Sequence, residues 1–159
     1  MNVEVRVGER RGAAAAAERA FVRALGRRSV MSSVGPMRST SEDKAREAFD
    51  RLCEVVDSQS HVTLIARRDG APVGFLLMLD AMPDEVTLLP QAFVAYMAVE
   101  PELHREGIGT ALLTAAEREA RRRGLPYIAL MVTNDNAPAR GLYARAGYQT
   151  ERRLLCKPL

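Results

Sequence analysis

The segment His104-Arg105-Glu106-Gly107-Ile108-Gly109-Thr110 constrains this chain more than any other. It follows an apolar run, Ala92 to Val99, that reads as a strand. It leads into a stretch rich in alanine and leucine that reads as a helix from Gly107 to Arg123. A strand that turns through glycines into a helix start aims several free backbone N–H groups at one point. Helped by the positive end of the helix dipole, that geometry binds phosphate oxygens. A nucleoside-triphosphate loop needs a lysine and then Ser or Thr after its last glycine, whereas Gly109 is followed by Thr110-Ala111. A dinucleotide fingerprint needs a third glycine where Leu112 stands.

The rest of the chain supplies the frame for this turn. At 159 residues it is long enough for one proper core, and residues 1–159 read as one domain. No apolar stretch approaches the ~18 residues of a membrane span, and Met1 to Gly12 shows no secretory signal, so a cytoplasmic location is expected. Cys53 and Cys156 lack metal spacing and read as free thiols in a reducing compartment. No metal is called for. The net charge of +3 is a mild basic bias. It suits a polyanionic ligand and does not demand nucleic acid, for which aromatics are few and no basic stripe carries them.

Asn2 to Val7 alternates as a short strand. Gly12 to Arg28 is a helix with Ala14, Ala17, Phe21 and Leu25 on one face. Arg27 to Ser41 reads as a loop. A second helix runs from about Ser41 to Asp57, with Ala45, Phe49, Leu52 and Val56 inward. His61 to Arg67 and Val73 to Leu79 are strands joined at Asp69-Gly70, the second apolar on both faces and so expected to be central. Met82 to Gln91 reads as a connection. The helix after the glycine turn carries Ile108, Leu112, Ala116 and Ala120 inward. It is followed by a strand, Tyr127 to Val132, a short helix, Pro138 to Ala146, and a last strand, Tyr148 to Lys157. This order gives an α/β (α+β) chain with one mixed sheet and helices on both faces.

The remaining reading of the glycine turn is the pyrophosphate of coenzyme A, for which G-x-G alone is a weak signal. Two longer stretches strengthen it. Met97-Ala98-Val99-Glu100-Pro101-Glu102-Leu103-His104-Arg105-Glu106-Gly107-Ile108-Gly109 resembles the first signature of the GNAT superfamily of N-acetyltransferases. Asn136-Ala137-Pro138-Ala139-Arg140-Gly141-Leu142-Tyr143, with Ala146-Gly147-Tyr148, resembles the second. The order and separation also match, and the likeness covers residues 61–157; earlier residues fit by element order only. His104 stands where the family usually has Gln or Arg, and Arg105 where a small residue is common.

The resemblance implies a GNAT-like acyl-CoA N-acyltransferase fold with a mostly antiparallel sheet. It implies acetyl-CoA as the donor co-substrate and a small-molecule or peptide primary amine as acceptor, joined in a ternary complex. Backbone groups at Met97, Ala98 and Val99 would bond the pantetheine arm. The segment His104, Arg105, Glu106, Gly107, Ile108, Gly109 and Thr110 would bind the coenzyme, with the amides from about Arg105 to Thr110 holding the pyrophosphate, and Asn136 would bond the arm. Tyr143 would protonate the departing thiolate, since a phenol of pKa ~10 is a competent donor to a thiolate of pKa ~8.5 once desolvated.

No carboxylate occupies Gln91 to Met97, where many relatives carry a base. Asp84, Glu85 and Glu42 are candidates from connecting segments, and Tyr96 is a wall of the acceptor pocket. The loops Ser29 to Thr40 and Met82 to Gln91, with Met31, Val34, Met37, Leu88 and Leu89, are expected to close that pocket. Arg121-Arg122-Arg123 complements the dipole at a helix end. The alternative function is a non-catalytic acyl-CoA-binding or sensing domain of the same fold. The oligomeric state is left open, a homodimer included.

Overall fold

The computed structural model describes residues 2–159. Five strands form one sheet in chain order: β1 (Val3–Val7), β2 (His61–Arg68), β3 (Ala71–Pro83), β4 (Pro90–Val99) and β5 (Ile128–Leu130). The first four are antiparallel neighbours, and β5 lies parallel to β4. Asp69 and Gly70, at φ of 51° and 85°, supply the two left-handed residues that a tight β2–β3 turn requires. β3 is central, as its apolar character on both faces predicts.

Alternate residues of β3 feed two separate cores. Phe75, Leu77 and Leu79 pack under α1 (Gly12–Ser29) and α2 (Glu42–Asp57). Leu76 and Met78 pack under α3 (Ile108–Arg122), whose Ile108, Leu112, Ala116 and Ala120 are all buried as the helical spacing predicts. Leu142 and Tyr143 of α4 (Ala137–Arg145) pack against this second core. A mixed, mostly antiparallel sheet with helices on both faces is the result. Ser41 caps α2 by accepting from the Lys44 amide at 3.2 Å, with Glu42 and Asp43 in the first turn.

Three expectations are corrected. The buried stripe of α1 is Ala15, Glu18, Val22, Leu25 and Gly26, while Ala14 and Ala17 face solvent. The cause is Glu18, which turns inward because its carboxylate accepts from the Glu9 amide at 2.7 Å and from Arg67 Nη2 at 3.0 Å. The connection Met82 to Gln91 is shorter than expected, because β3 and β4 pair as far as Pro83 opposite Pro90. Residues Tyr148 to Lys157 form no strand. Their order, five polar residues and then two adjacent leucines, has no period of two, so neither face can be buried as a unit. Arg152 instead binds Asp84 at 2.7 Å and Glu85 at 3.1 Å, and Leu154 and Leu155 stay exposed.

Both cysteines are free, Cys53 buried and Cys156 exposed. Burial pushes the Cys53 thiol up to about 11. A thiol reagent at pH 8 is therefore expected to label Cys156 rapidly and Cys53 only on unfolding. Two rapid equivalents in the native protein would contradict this packing. Among the described residues, no helix is long and apolar enough to cross a membrane.

Candidate active site

β4 and β5 pair only at Ala92–Ile128, Phe93–Ala129 and Val94–Leu130. Beyond Val94 they separate, and the β4 edge from Ala95 to Val99 has no strand beside it on that side. The register against β3 slips there too, with Leu77 opposite Tyr96 and Met78 opposite Val94, which leaves Ala95 as an extra residue. Such a bulge bends a strand and re-aims its neighbours. The cleft between β4 and β5 is thus written into the pairing pattern.

At its upper end the chain turns through Pro101–Leu103 into the glycine segment. Arg105 and Gly107 have φ of 68° and 82°, and Gly107 is the N-cap of α3. No side chain caps that helix, and among the described residues the amides of Arg105 to Thr110 donate to no other protein group. A Cβ at Gly107 would meet nothing within 4 Å, so the approach is open. Gly109 has a different reason to be glycine. A Cβ there would come within 3.0 Å of Leu142, so its bareness lets α4 close on α3.

The side chains of this turn have their own tasks. The His104 ring donates through Nε2 to the Val99 carbonyl at 3.0 Å, bracing the turn against the end of β4. Glu106 accepts from Arg68 at 2.6 Å, and Asn136 accepts from the Ala139 amide at 3.3 Å as the N-cap of α4. The amide group of Asn136 retains its N–H donors.

Tyr143 lies on α4 with its ring edge-on to Tyr148, centroids 6.0 Å apart. Burial raises its pKa, and Tyr96 adds to the rise. Tyr96 rises from β4 into an aromatic cluster, 5.0 Å from Phe49 and 6.1 Å from Phe75. Burial raises the pKa of its phenol as well, and the nearby Ser33 side chain opposes that rise. Ser33 belongs to the 3-10 turn Val30–Ser33, and its carbonyl accepts from Thr133 Oγ1 at 2.6 Å. One loop therefore bridges the cleft from α1 to the segment beyond β5.

The loop and strand segments that flank this cleft carry no charge. Residues 29–37, 91–99 and 127–133 contain no Asp, Glu, Lys or Arg in a chain that is 27% charged. The three acids considered as bases are engaged elsewhere. Asp84 holds the Val86 and Thr87 amides and Arg152, which together pull its carboxyl below the usual range. Glu85 also binds Arg152, and Glu42 pairs with Arg46 at 3.2 Å. At the margin, Arg28 and Glu100 neutralise each other through two bonds of 2.9 Å. Ser33 and Thr133 could not be found from sequence, because a hydrogen bond spanning a hundred residues leaves no local pattern.

The model of the acetyltransferase (GNAT) family matches residues 30–148, three quarters of the chain. Mycothiol acetyltransferase of Saccharomonospora viridis is 35% identical over 89 residues, which is 55% of this chain and 29% of that protein. The chain therefore spans well under half of that relative's length. A Pyrococcus furiosus protein provisionally described as an acetyl transferase superposes with a TM-score of 0.81 at 25% identity, over 99% of this chain and all of the other. The aminoglycoside acetyltransferase AAC(6')-Iy, solved with a bisubstrate analogue CoA-S-monomethyl-acetylneamine, superposes with a TM-score of 0.65 over 100% and 99% of the two chains. At 17% identity that likeness shows the fold alone.

Proposed function

The chain belongs to the acetyltransferase (GNAT) family, and from that premise we propose that residues 1–159 act as one N-acetyltransferase domain, moving an acetyl group from acetyl-CoA to a primary amine. The observation that carries this is the set of unbonded amides from Arg105 to Thr110 at the head of an open cleft. Those donors suit a diphosphate. The unpaired edge of β4 suits the amide groups of the pantetheine arm, which would lie along Met97 and Ala98 as a further strand does. At Val99 the carbonyl already accepts one bond from His104, so the arm would share that oxygen's second lone pair.

The amine attacks the thioester carbon directly, and the coenzyme leaves as a thiolate. Tyr143 supplies the proton. Its raised pKa keeps the phenol protonated at neutral pH, and a neutral donor suits a cleft flanked by uncharged segments. With no carboxylate in those segments, the amine has to arrive neutral or lose its proton to water. A lysine amine of pKa ~10.4 is under ~0.1% neutral at pH 7, whereas an α-amino group near ~7.8 is more than ~10% neutral. The reading therefore favours an α-amine over a lysine side chain.

Saturating acetyl-CoA is expected to raise the thermal midpoint, since a ligand that binds only the folded state stabilises it. Release of free thiol with an amine panel then separates transfer from mere binding. A raised midpoint with no thiol release from any amine would favour the non-catalytic acyl-CoA-binding domain. An unmoved midpoint would sink the donor site itself.

A further inference from the structure

An open groove of about 340 Å³ lies beside the loop that bridges the cleft. It lies between the loop after α1 and the first turns of α2. Ser33, whose carbonyl accepts from Thr133 Oγ1 across the cleft, is one of its walls. Val34, Ala45 and Ala48 supply apolar surface, and the only charged side chains on it are Arg38 and Lys44. Neither cation has a hydrogen-bonding or ion-pairing partner for its side chain among the described residues. The acids nearest in sequence are spoken for: Glu42 and Asp43 both pair with Arg46, at 3.2 and 3.6 Å.

The charge balance around the acceptor is thus one-sided. Segments 29–37, 91–99 and 127–133 are neutral, the marginal pair Arg28–Glu100 is self-compensated, and the unpaired charges on the adjoining groove are both positive. A polycationic acceptor would meet no carboxylate here and would be repelled by two cations. An amine that also bears an anion would find an amine end in the neutral cleft and a positive end beyond Ser33. Arg38 can meet a carboxylate with two parallel N–H donors, and Lys44 with a point charge.

We propose that the acceptor is an amino carboxylate whose carboxylate is held between Arg38 and Lys44 while its amine lies on the Tyr96 side of Ser33. This rests on the acetyl-transfer reading and narrows it to a substrate class. It also separates this chain from AAC(6')-Iy, a structural neighbour solved with an aminoglycoside-derived analogue.

The test is thiol release from acetyl-CoA with the proteinogenic amino acids, β-alanine and p-aminobenzoate, each against its own carboxamide, and with kanamycin. At least one acid is expected to exceed its carboxamide in kcat/KM by on the order of tenfold or more, the scale of one charge-assisted contact. Kanamycin is expected to be a poor acceptor. In Arg38→Ala/Lys44→Ala the preference for acid over carboxamide is expected to collapse through KM for the acid, with KM for acetyl-CoA unmoved. Arg38→Lys is expected to restore part of it. Carboxamides or kanamycin preferred by the wild-type protein, or a preference that survives the double substitution, would overturn the proposal. Calorimetry with acetyl-CoA keeps the two readings apart. Normal donor binding with no acid acetylated defeats this inference alone, and absent donor binding takes the proposed function down with it.

Discussion

Replacing Tyr143 with phenylalanine is expected to lower turnover by ~10²-fold or more while leaving KM for acetyl-CoA nearly unchanged. The substitution removes one oxygen. It keeps the ring that stands edge-on to Tyr148 and packs on the α3 core, so stability should barely move. A merely structural tyrosine would therefore give a variant with full activity. The phenol is removed from the proposed mechanism if that is what thiol release shows. The pH profile adds an independent reading. Only the protonated phenol donates, and burial has raised its pKa above the ordinary value of ~10. Loss of activity through this group must consequently begin on the alkaline side of that value, and a descending limb near neutral pH would belong to another group. Tyr96→Phe offers the contrast. Its ring packs against Phe49 and Phe75 beside the proposed acceptor pocket, so loss of its phenol should act mainly on KM for the amine.

Much of the site was legible because its signals are local. The glycine turn and the apolar face of α3 are each set by nearby residues, and each stands where the spacing puts it. Roles were less legible than positions. Gly107 needs its left-handed backbone, whereas Gly109 is bare because Leu142 arrives from another helix. His104 proved to be a brace for Val99, a task that no spacing rule describes. The stripe on α1 holds at Leu25 but is off by one position at Ala14 and Ala17, because hydrophobicity alone puts Glu18 outside. Its inward turn depends on Arg67 and the Glu9 amide, both distant in sequence. The last segment failed for the opposite reason. It holds strand-forming residues, but without alternation they specify no face and find no edge. The loop bridge through Ser33 and Thr133 was out of reach altogether, since it exists only once the sheet has assembled.

The second large effect is expected in the scaffold behind Tyr96. Gly26 lies in α1 directly over Phe49 of α2, and a Cβ at that position would fall 1.9, 2.2 and 2.6 Å from three ring atoms. Helix propensity alone would make Gly26→Ala stabilising by ~1 kcal/mol. Packing opposes it, because the ring cannot withdraw: Phe49 is 1% exposed, with Phe75 and Tyr96 centred 6.3 and 5.0 Å away. Overpacking a closed core costs ~1–3 kcal/mol and sometimes more, and a clash this deep belongs at the upper end. The net expectation is a loss of ~2 kcal/mol, or a thermal midpoint lower by ~4–8 °C for a chain of this size. Whatever shift Phe49 makes is passed to Tyr96, so acetyl transfer should fall along with stability. Adding Phe49→Leu gives the sharper check. If the clash is the cause, the double substitution should lose less than the two single losses combined, since a smaller side chain frees the space the new methyl needs. A higher midpoint for Gly26→Ala, or strict additivity with Phe49→Leu, would mean that α1 and α2 do not meet as closely as described.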